Sequence, residues 1–343
     1  MASRLRMQQD NYPHWDKEKR SFYEVWYLKF NLPAQGGTAG PALWLRFTTL
    51  SSKNGLKKVA ETWAIFFEPN AQGAPRKLAL KNTSTPGAYN AKADGSVQIE
   101  DSVFGPDHTS GCVVGRGNRV EWNLKFTPND FTFWHVPDFL QKAKLTKSII
   151  CKPNVNVAFT GSFTVNDKTY SVNQAPGCQG HIWGSRYAHR WAWAHCNMFE
   201  NSSGKLTDTV LEGLSARVKL GGVLTSPQMS AMFLQYKGTR YELNRMNDVF
   251  AIKSDFSLTR WRFAAEKGPM RVVGDLTCDV KDLLAVTYED TDGSYLYCNN
   301  SELASMDLSI YFKGKLQESL RSRQTTGFET VERAKSPYVE VLL

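Results

Sequence analysis

No stretch of this 343-residue chain approaches the roughly 20 consecutive apolar residues that a membrane-spanning helix needs. The opening, MASRLRMQQDNYPHWDKEKR, is polar and charged and has no secretory apolar core, so a cytoplasmic protein, at most peripheral to a membrane, is expected. Cysteine is sparse and scattered. Cys112, Cys151, Cys178, Cys196, Cys278 and Cys298 form no C-x-x-C, which argues against a zinc site or a dense disulfide scaffold and for reduced, mostly buried thiols. There is no H-E-x-x-H, and His189 and His195 are far in sequence from acidic partners. Neither a metal nor a cofactor is expected. The P-loop, the Rossmann glycine fingerprint and the G-x-S-x-G elbow are all missing. Helical patterning is scarce as well, with PDFLQKAKL the one candidate of note.

Aromatic residues, at 12%, are plentiful, and Val, Thr, Tyr, Phe and Trp dominate the structured runs, which favours strands. Short alternating segments such as SFYEVWYLKF, PALWLRFTTL, ETWAIFFE and RVEWNLKF recur along the chain. Tight turns are expected at Asn166-Asp167, Lys237-Gly238, Lys267-Gly268, Asp292-Gly293 and Gly314. Repeated hairpins with few helices indicate antiparallel meanders closing into barrels. The length suits two of them, with the division just after His181–Gly184. The expected domains are residues 1–186 and 187–343. A net charge of +9 is spread over the sequence, without an RNP-like or helix-turn-helix pattern. Weak contact with anionic membranes fits such a surface and nucleic-acid binding does not. Nothing in the pattern sets the oligomeric state.

The densest stretch is HIWGSRYAHRWAWAHCNMFE, residues 181–200, which holds three Trp and three His. As a strand, it places His189, Trp191, Trp193, His195 and Asn197 on one face and Arg190, Ala192, Ala194 and Cys196 on the other. An aromatic face with a few polar groups suits a pocket wall, and equally a core strand with satisfied histidines. SFYEVWYLKF places Phe22, Glu24, Trp26, Leu28 and Phe30 on one face and Tyr23, Val25 and Tyr27 on the other. A carboxyl buried between Phe22 and Trp26 would be harder to ionise and so a usable general acid. The alternative is an ion pair with Arg46, Arg186 or Arg190 that knits the two halves together.

FYEVWYLKFNLP resembles the opening strand of the tocopherol cyclase family. The second hallmark of that family, Trp-Gly followed by Arg/Lys-Trp-x-Trp-x-x-Cys-Asn-x-Phe-Glu, is matched by Trp183, Gly184, Arg190, Trp191, Trp193, Cys196, Asn197, Phe199 and Glu200. NVAFTGSFTVNDKTYSVNQAPGCQGHIWG resembles the wider superfamily of carotenoid hydratase-like and AttH-like proteins. The resemblance implies an all-β fold of two tandem lipocalin-like antiparallel β-barrels with few short helices. It also implies protonation of an isoprenoid double bond and capture of the tertiary cation by a phenol (cyclase) or by water (hydratase). Glu24 or His181 would then deliver the proton. Trp26, Trp183, Trp191 and Trp193 would line a prenyl tunnel near the domain junction, and Tyr23, His195 and Asn197 would hold the head group. Arg186 and Arg190 join them as substrate-binding candidates. In hydratase-like relatives an Asp stands where this chain has Gly180, which weakens the hydratase reading, and the opening has no plastid transit character. The expected function is a tocopherol cyclase-like cyclisation or isomerisation of a prenylated quinol or another isoprenoid lipid. The alternatives are a non-catalytic lipid-binding protein and a carotenoid hydratase-like lyase.

Overall fold

The computed structural model describes residues 6–33, 39–143, 146–220 and 224–343. Two large antiparallel sheets carry almost all of the secondary structure, one before residue 185 and one after residue 189. The first begins with β1 (Phe22–Asn31), β2 (Ala42–Ser51), β3 (Lys58–Glu68) and β4 (Arg76–Ser84). It continues through the short β5 (Tyr89–Ala91), β6 (Val97–Ile99) and β7 (Ser102–Phe104) to β8 (His108–Gly115), β9 (Asn118–Phe126) and β10 (Phe133–Trp134). The long hairpin of β11 (Ser148–Val165) and β12 (Lys168–Gly184) completes it. Its order is β4-β3-β2-β1-β12-β11-β9-β8-β7-β6-β5, with β10 alongside β11. Asn82 on β4 exchanges side-chain hydrogen bonds with the backbone of Val114 on β8, which ties the seam where the sheet curls round on itself.

The second sheet repeats this plan, although the sequence shows no obvious repeat. It comprises β13 (Arg190–Cys196), β14 (Val210–Arg217), β17 (Met229–Tyr236), β18 (Thr239–Leu243), β19 (Lys253–Phe256), β20 (Arg260–Lys267), β21 (Met270–Thr277) and β22 (Leu284–Glu289). The minor strands β15 (Lys219–Leu220) and β16 (Leu224–Thr225) pair only with each other. Another long hairpin, β23 (Tyr295–Phe312) and β24 (Lys315–Glu332), ends the sheet. In both sheets the first strand pairs with the last, β1 with β12 and β13 with β24. The fold is all-β, two tandem lipocalin-like barrels. α1 (Asp138–Lys142) falls within PDFLQKAKL, whose last two residues, 144 and 145, lie outside the described residues. A second helix, α2 (Met246–Ala251), was not anticipated. Among the described residues no helix is long and apolar enough to cross a membrane.

The turn chemistry explains the hairpins. Lys237-Gly238 and Lys313-Gly314 both have two positive φ angles, the geometry whose twist matches the flanking strands. Asn166, with φ of 55°, opens the two-residue turn between β11 and β12. The β20–β21 turn falls on Gly268-Pro269, one residue later than expected, because Lys267 still pairs with Met270.

Alternation along β1 and β13 decides what the barrels enclose and what they share. Trp26, Leu28 and Phe30 point into the first barrel's core, and Ala192, Ala194 and Cys196 into the second's. The opposite faces meet: Tyr23, Val25 and Tyr27 from β1 share one buried cluster with Trp193 from β13 and with Leu284, Val286 and Tyr288 from β22.

Candidate functional site

A cavity of about 580 Å³ lies between the two sheets, within the roughly 300–1,000 Å³ range of small-molecule sites. One wall comes from Tyr23, Val25 and Tyr27 on β1 with Trp44 and Arg46 on β2, and the other from Trp191 and Trp193 on β13 with Leu214 on β14. Tyr187, from the connection between the barrels, stacks on Tyr23 at 3.9 Å between ring centroids. Met246, Val249 and Phe250 of α2 also line the cavity, and Phe250 is half exposed.

A few polar groups break this aromatic lining. Arg46 is buried, bonds Thr48 Oγ1 at 2.6 Å and Tyr187 Oη at 2.9 Å, and lies over the Tyr288 ring at 4.1 Å. His135 Nε2 donates to Glu212 Oε1 at 2.9 Å, and Trp193 Nε1 donates to the same oxygen at 2.6 Å. The fully buried Lys152 approaches the other oxygen of Glu212 at 3.2 Å. Glu329, on β24 directly opposite Trp193, completes the lining. Asn300 Nδ2 donates to its Oε1 at 3.0 Å. Burial pushes the Glu329 carboxyl above the usual carboxylate range, despite the opposing pull of Arg46 and of the Asn300 hydrogen bond. Burial likewise pushes the Tyr187 phenol up to about 12 and those of Tyr23, Tyr27 and Tyr288 well above the ordinary phenol range, so these wall phenols are neutral donors.

Of the residues singled out from sequence, Tyr23, Arg186, Trp191 and Trp193 line this cavity. Glu24 and His181 do not. They come together on the other face of β1 and β12, inside the first barrel, with His181 Nε2 3.0 Å from Glu24 Oε1. Neither Arg46, Arg186 nor Arg190 pairs with Glu24. Instead its carboxylate accepts the backbone N–H groups of His14 at 2.8 Å and Trp15 at 2.9 Å. Trp26 stacks on His181 within the same barrel and gives its indole N–H to Asn11 O. Trp183 stacks on His14.

His195 and Asn197 fasten the barrels together. His195 Nε2 donates to Val155 O at 2.8 Å, and Asn197 Nδ2 donates to Asn156 Oδ1 at 2.8 Å. Burial, reinforced by Lys29 and Lys152, depresses the His195 pKa well below the ordinary range and keeps the ring neutral. Arg190 pairs with Glu332 at 2.8 Å, and Arg186 with Asp292 at 2.9 Å. Among the described residues, Lys29–Glu302, at 3.5 Å, and Lys152–Glu212 are ion pairs that link the barrels through buried side chains. Gly180 also has a structural reason. It faces Tyr27 across β1 and β12, and a Cβ there would sit 2.5 Å from the Tyr27 ring.

Sequence reasoning missed Arg46, His135 and Glu329 as cavity groups, and Glu212 as the partner of His135 and Trp193. The GFETVE stretch did hold a signal for Glu329, since Glu at the centre of an alternating aromatic and β-branched strand parallels Glu24 in FYEVW. His135 and Glu212 carried no such local signal.

The tocopherol cyclase-like family model matches residues 108–332. An uncharacterized protein of Mycobacterium tuberculosis is 20% identical over 287 residues, 84% of this chain and 80% of its own length. A chloroplastic rice protein named as a probable tocopherol cyclase is 22% identical over 279 residues, 67% of this chain and 57% of its own. Among solved structures, an AttH-like protein of Nitrosomonas europaea superposes with a TM-score of 0.56 at 13% identity, covering 98% of each chain. Kievitone hydratase of Nectria haematococca does so with a TM-score of 0.50 at 9% identity, covering 90% of this chain and 88% of its own. At such identities these two likenesses show the fold alone. The match over residues 108–332 takes in the Trp183–Glu200 hallmark and the strand that carries Glu329, and the chain belongs to the tocopherol cyclase-like family.

Proposed function

We propose that the cavity between the barrels binds a prenylated or otherwise isoprenoid lipid and isomerises it by acid-catalysed cyclisation, with Glu329 as the proton donor. The observation that carries this reading is a carboxyl made harder to ionise by burial, set in an aromatic wall opposite Trp193. In the proposed step the Glu329 carboxyl protonates the less substituted carbon of a trisubstituted alkene. The tertiary cation left behind is stabilised by the faces of Trp191 and Trp193. A phenol oxygen of the same substrate closes on the cation and releases its proton, which restores Glu329. No atoms are gained or lost, so the reaction is an isomerisation. Arg46, Tyr187 and His135, which line the cavity, would hold a polar head group, while the apolar lining keeps water from competing for the cation.

A lipid carrier would use the same cavity without chemistry, and fold does not choose between the two. Turnover of a prenyl quinol by the purified chain and its Glu329→Gln variant, with binding followed in parallel by fluorescence of the cavity tryptophans, separates them. Binding retained with turnover lost supports the cyclase reading. Binding by both proteins with turnover by neither leaves the carrier.

A further inference from the structure

The second buried cluster of titratable groups, His14, Glu24 and His181, lies on the face of β1 and β12 turned away from the cavity, and the proposed reaction does not use it. Its three side chains come from three places: an irregular segment ahead of β1, β1 itself and β12. One ligand atom from each lies within 4.8 Å of the others.

The hydrogen bonds around the cluster assign its lone pairs. His181 Nδ1 is 2.8 Å from the carbonyl oxygen of Asp10, and a carbonyl can only accept, so Nδ1 carries a hydrogen. In the neutral ring, Nε2 then aims a lone pair at Glu24 Oε1, 3.0 Å away. Two lone pairs facing each other at that distance need a cation between them, either a proton or a metal ion. His14 Nε2 is buried and has no hydrogen-bond partner among the described residues. The outer contacts are those of an oriented metal site: a carbonyl on the far nitrogen of one histidine and two backbone N–H groups on the carboxylate.

We propose that His14, Glu24 and His181 bind a divalent first-row transition-metal ion of the zinc type, which fastens the N-terminal segment across the first barrel. Two imidazole nitrogens and one carboxylate oxygen are a donor set suited to such an ion. Ligand atoms about 2.0–2.1 Å from one ion are at most about 4 Å apart, so the set needs only a small closure. His14, on irregular backbone, can make it. The segment already has other anchors, since Asn11 pairs its amide with Gln179 and accepts from Trp26 Nε1. The ion would add the last fastening at its far end.

The test uses the full, untagged chain, stripped with a chelator and titrated with Zn²⁺ by calorimetry and with Co²⁺ by visible absorption. We expect one ion per chain with sub-micromolar affinity, d–d bands from Co²⁺, and a rise in Tm on adding Zn²⁺. His14→Ala alters a half-buried side chain outside both sheets, so it should fold as the parent does by circular dichroism. It should weaken Zn²⁺ binding at least 100-fold and abolish the Co²⁺ bands. His108→Ala, which removes a partly exposed histidine beside Asp107, should leave both unchanged. A parent chain that takes up no stoichiometric ion overturns the proposal, as does a His14→Ala variant that binds as tightly as the parent.

Discussion

Glu24 and Glu329 are both buried glutamates in aromatic strands, and their surroundings push them to opposite uses. Glu24 accepts the backbone N–H groups of His14 and Trp15 inside the first barrel, away from the cavity, while Glu329 lines an apolar cavity that disfavours its anion. We therefore expect Glu329→Gln to lower turnover by about 10²–10⁴-fold with ligand affinity nearly unchanged, as kcat and binding measured side by side will show. Because Glu329 acts in its protonated form, kcat should be greatest at low pH and fall as pH rises through the raised pKa. Glu302 makes a parallel case for stability. Burial, offset in part by Lys29, pushes its carboxyl up to about 7. A carboxyl raised on folding contributes stability that is fully present below its unfolded value of about 4.3 and is lost as pH rises through the folded value. Between pH 5 and 8 the Tm of the parent chain should therefore fall more steeply than that of Glu302→Gln. Parallel slopes would remove Glu302 from the pH dependence.

At the scale of the strand, period-2 alternation was the most informative signal, and it read correctly on β1 and β13. It placed Trp191 and Trp193 opposite Ala192 and Ala194, and Glu24 opposite Tyr23 and Val25. The structure puts those faces in different compartments. Trp193→Ala should remove both a cavity wall and the indole donor to Glu212, weakening lipid binding at least tenfold in a fluorescence titration. Gly180 shows an element-scale constraint that motif comparison alone does not reveal. Putting Asp there forces a Cβ against Tyr27 and buries a carboxyl beside it. We expect Gly180→Asp to lose about 1–3 kcal/mol or more in chemical denaturation and to gain no hydratase activity.

The whole molecule is two barrels held together by a seam of buried charge. Glu212 is its central group, serving His135, Trp193 and Lys152 at once. Glu212→Leu leaves the Lys152 ammonium without its carboxylate, so a loss of about 3–5 kcal/mol is expected from the urea midpoint. The seam borders the cavity through His135 and Trp193, so the same variant should also weaken lipid binding.

Sequence alone determined the class of fold, the hairpin turns, which residues share a strand face, and the family hallmarks. All of these are local: a turn dipeptide, a period of two, or a motif within twenty residues carries its meaning without the rest of the chain. It did not determine which face of β1 meets the second barrel, because both faces are aromatic and either would bury well. The pairing of β1 with β12, and the packing of Tyr23, Val25 and Tyr27 against the second barrel, decided that Glu24 and His181 look inward and Glu329 looks into the cavity. His135 and Glu329 are separated by 194 residues, and only tertiary closure of the two sheets brings them to one cavity, with Glu212 bonded to His135.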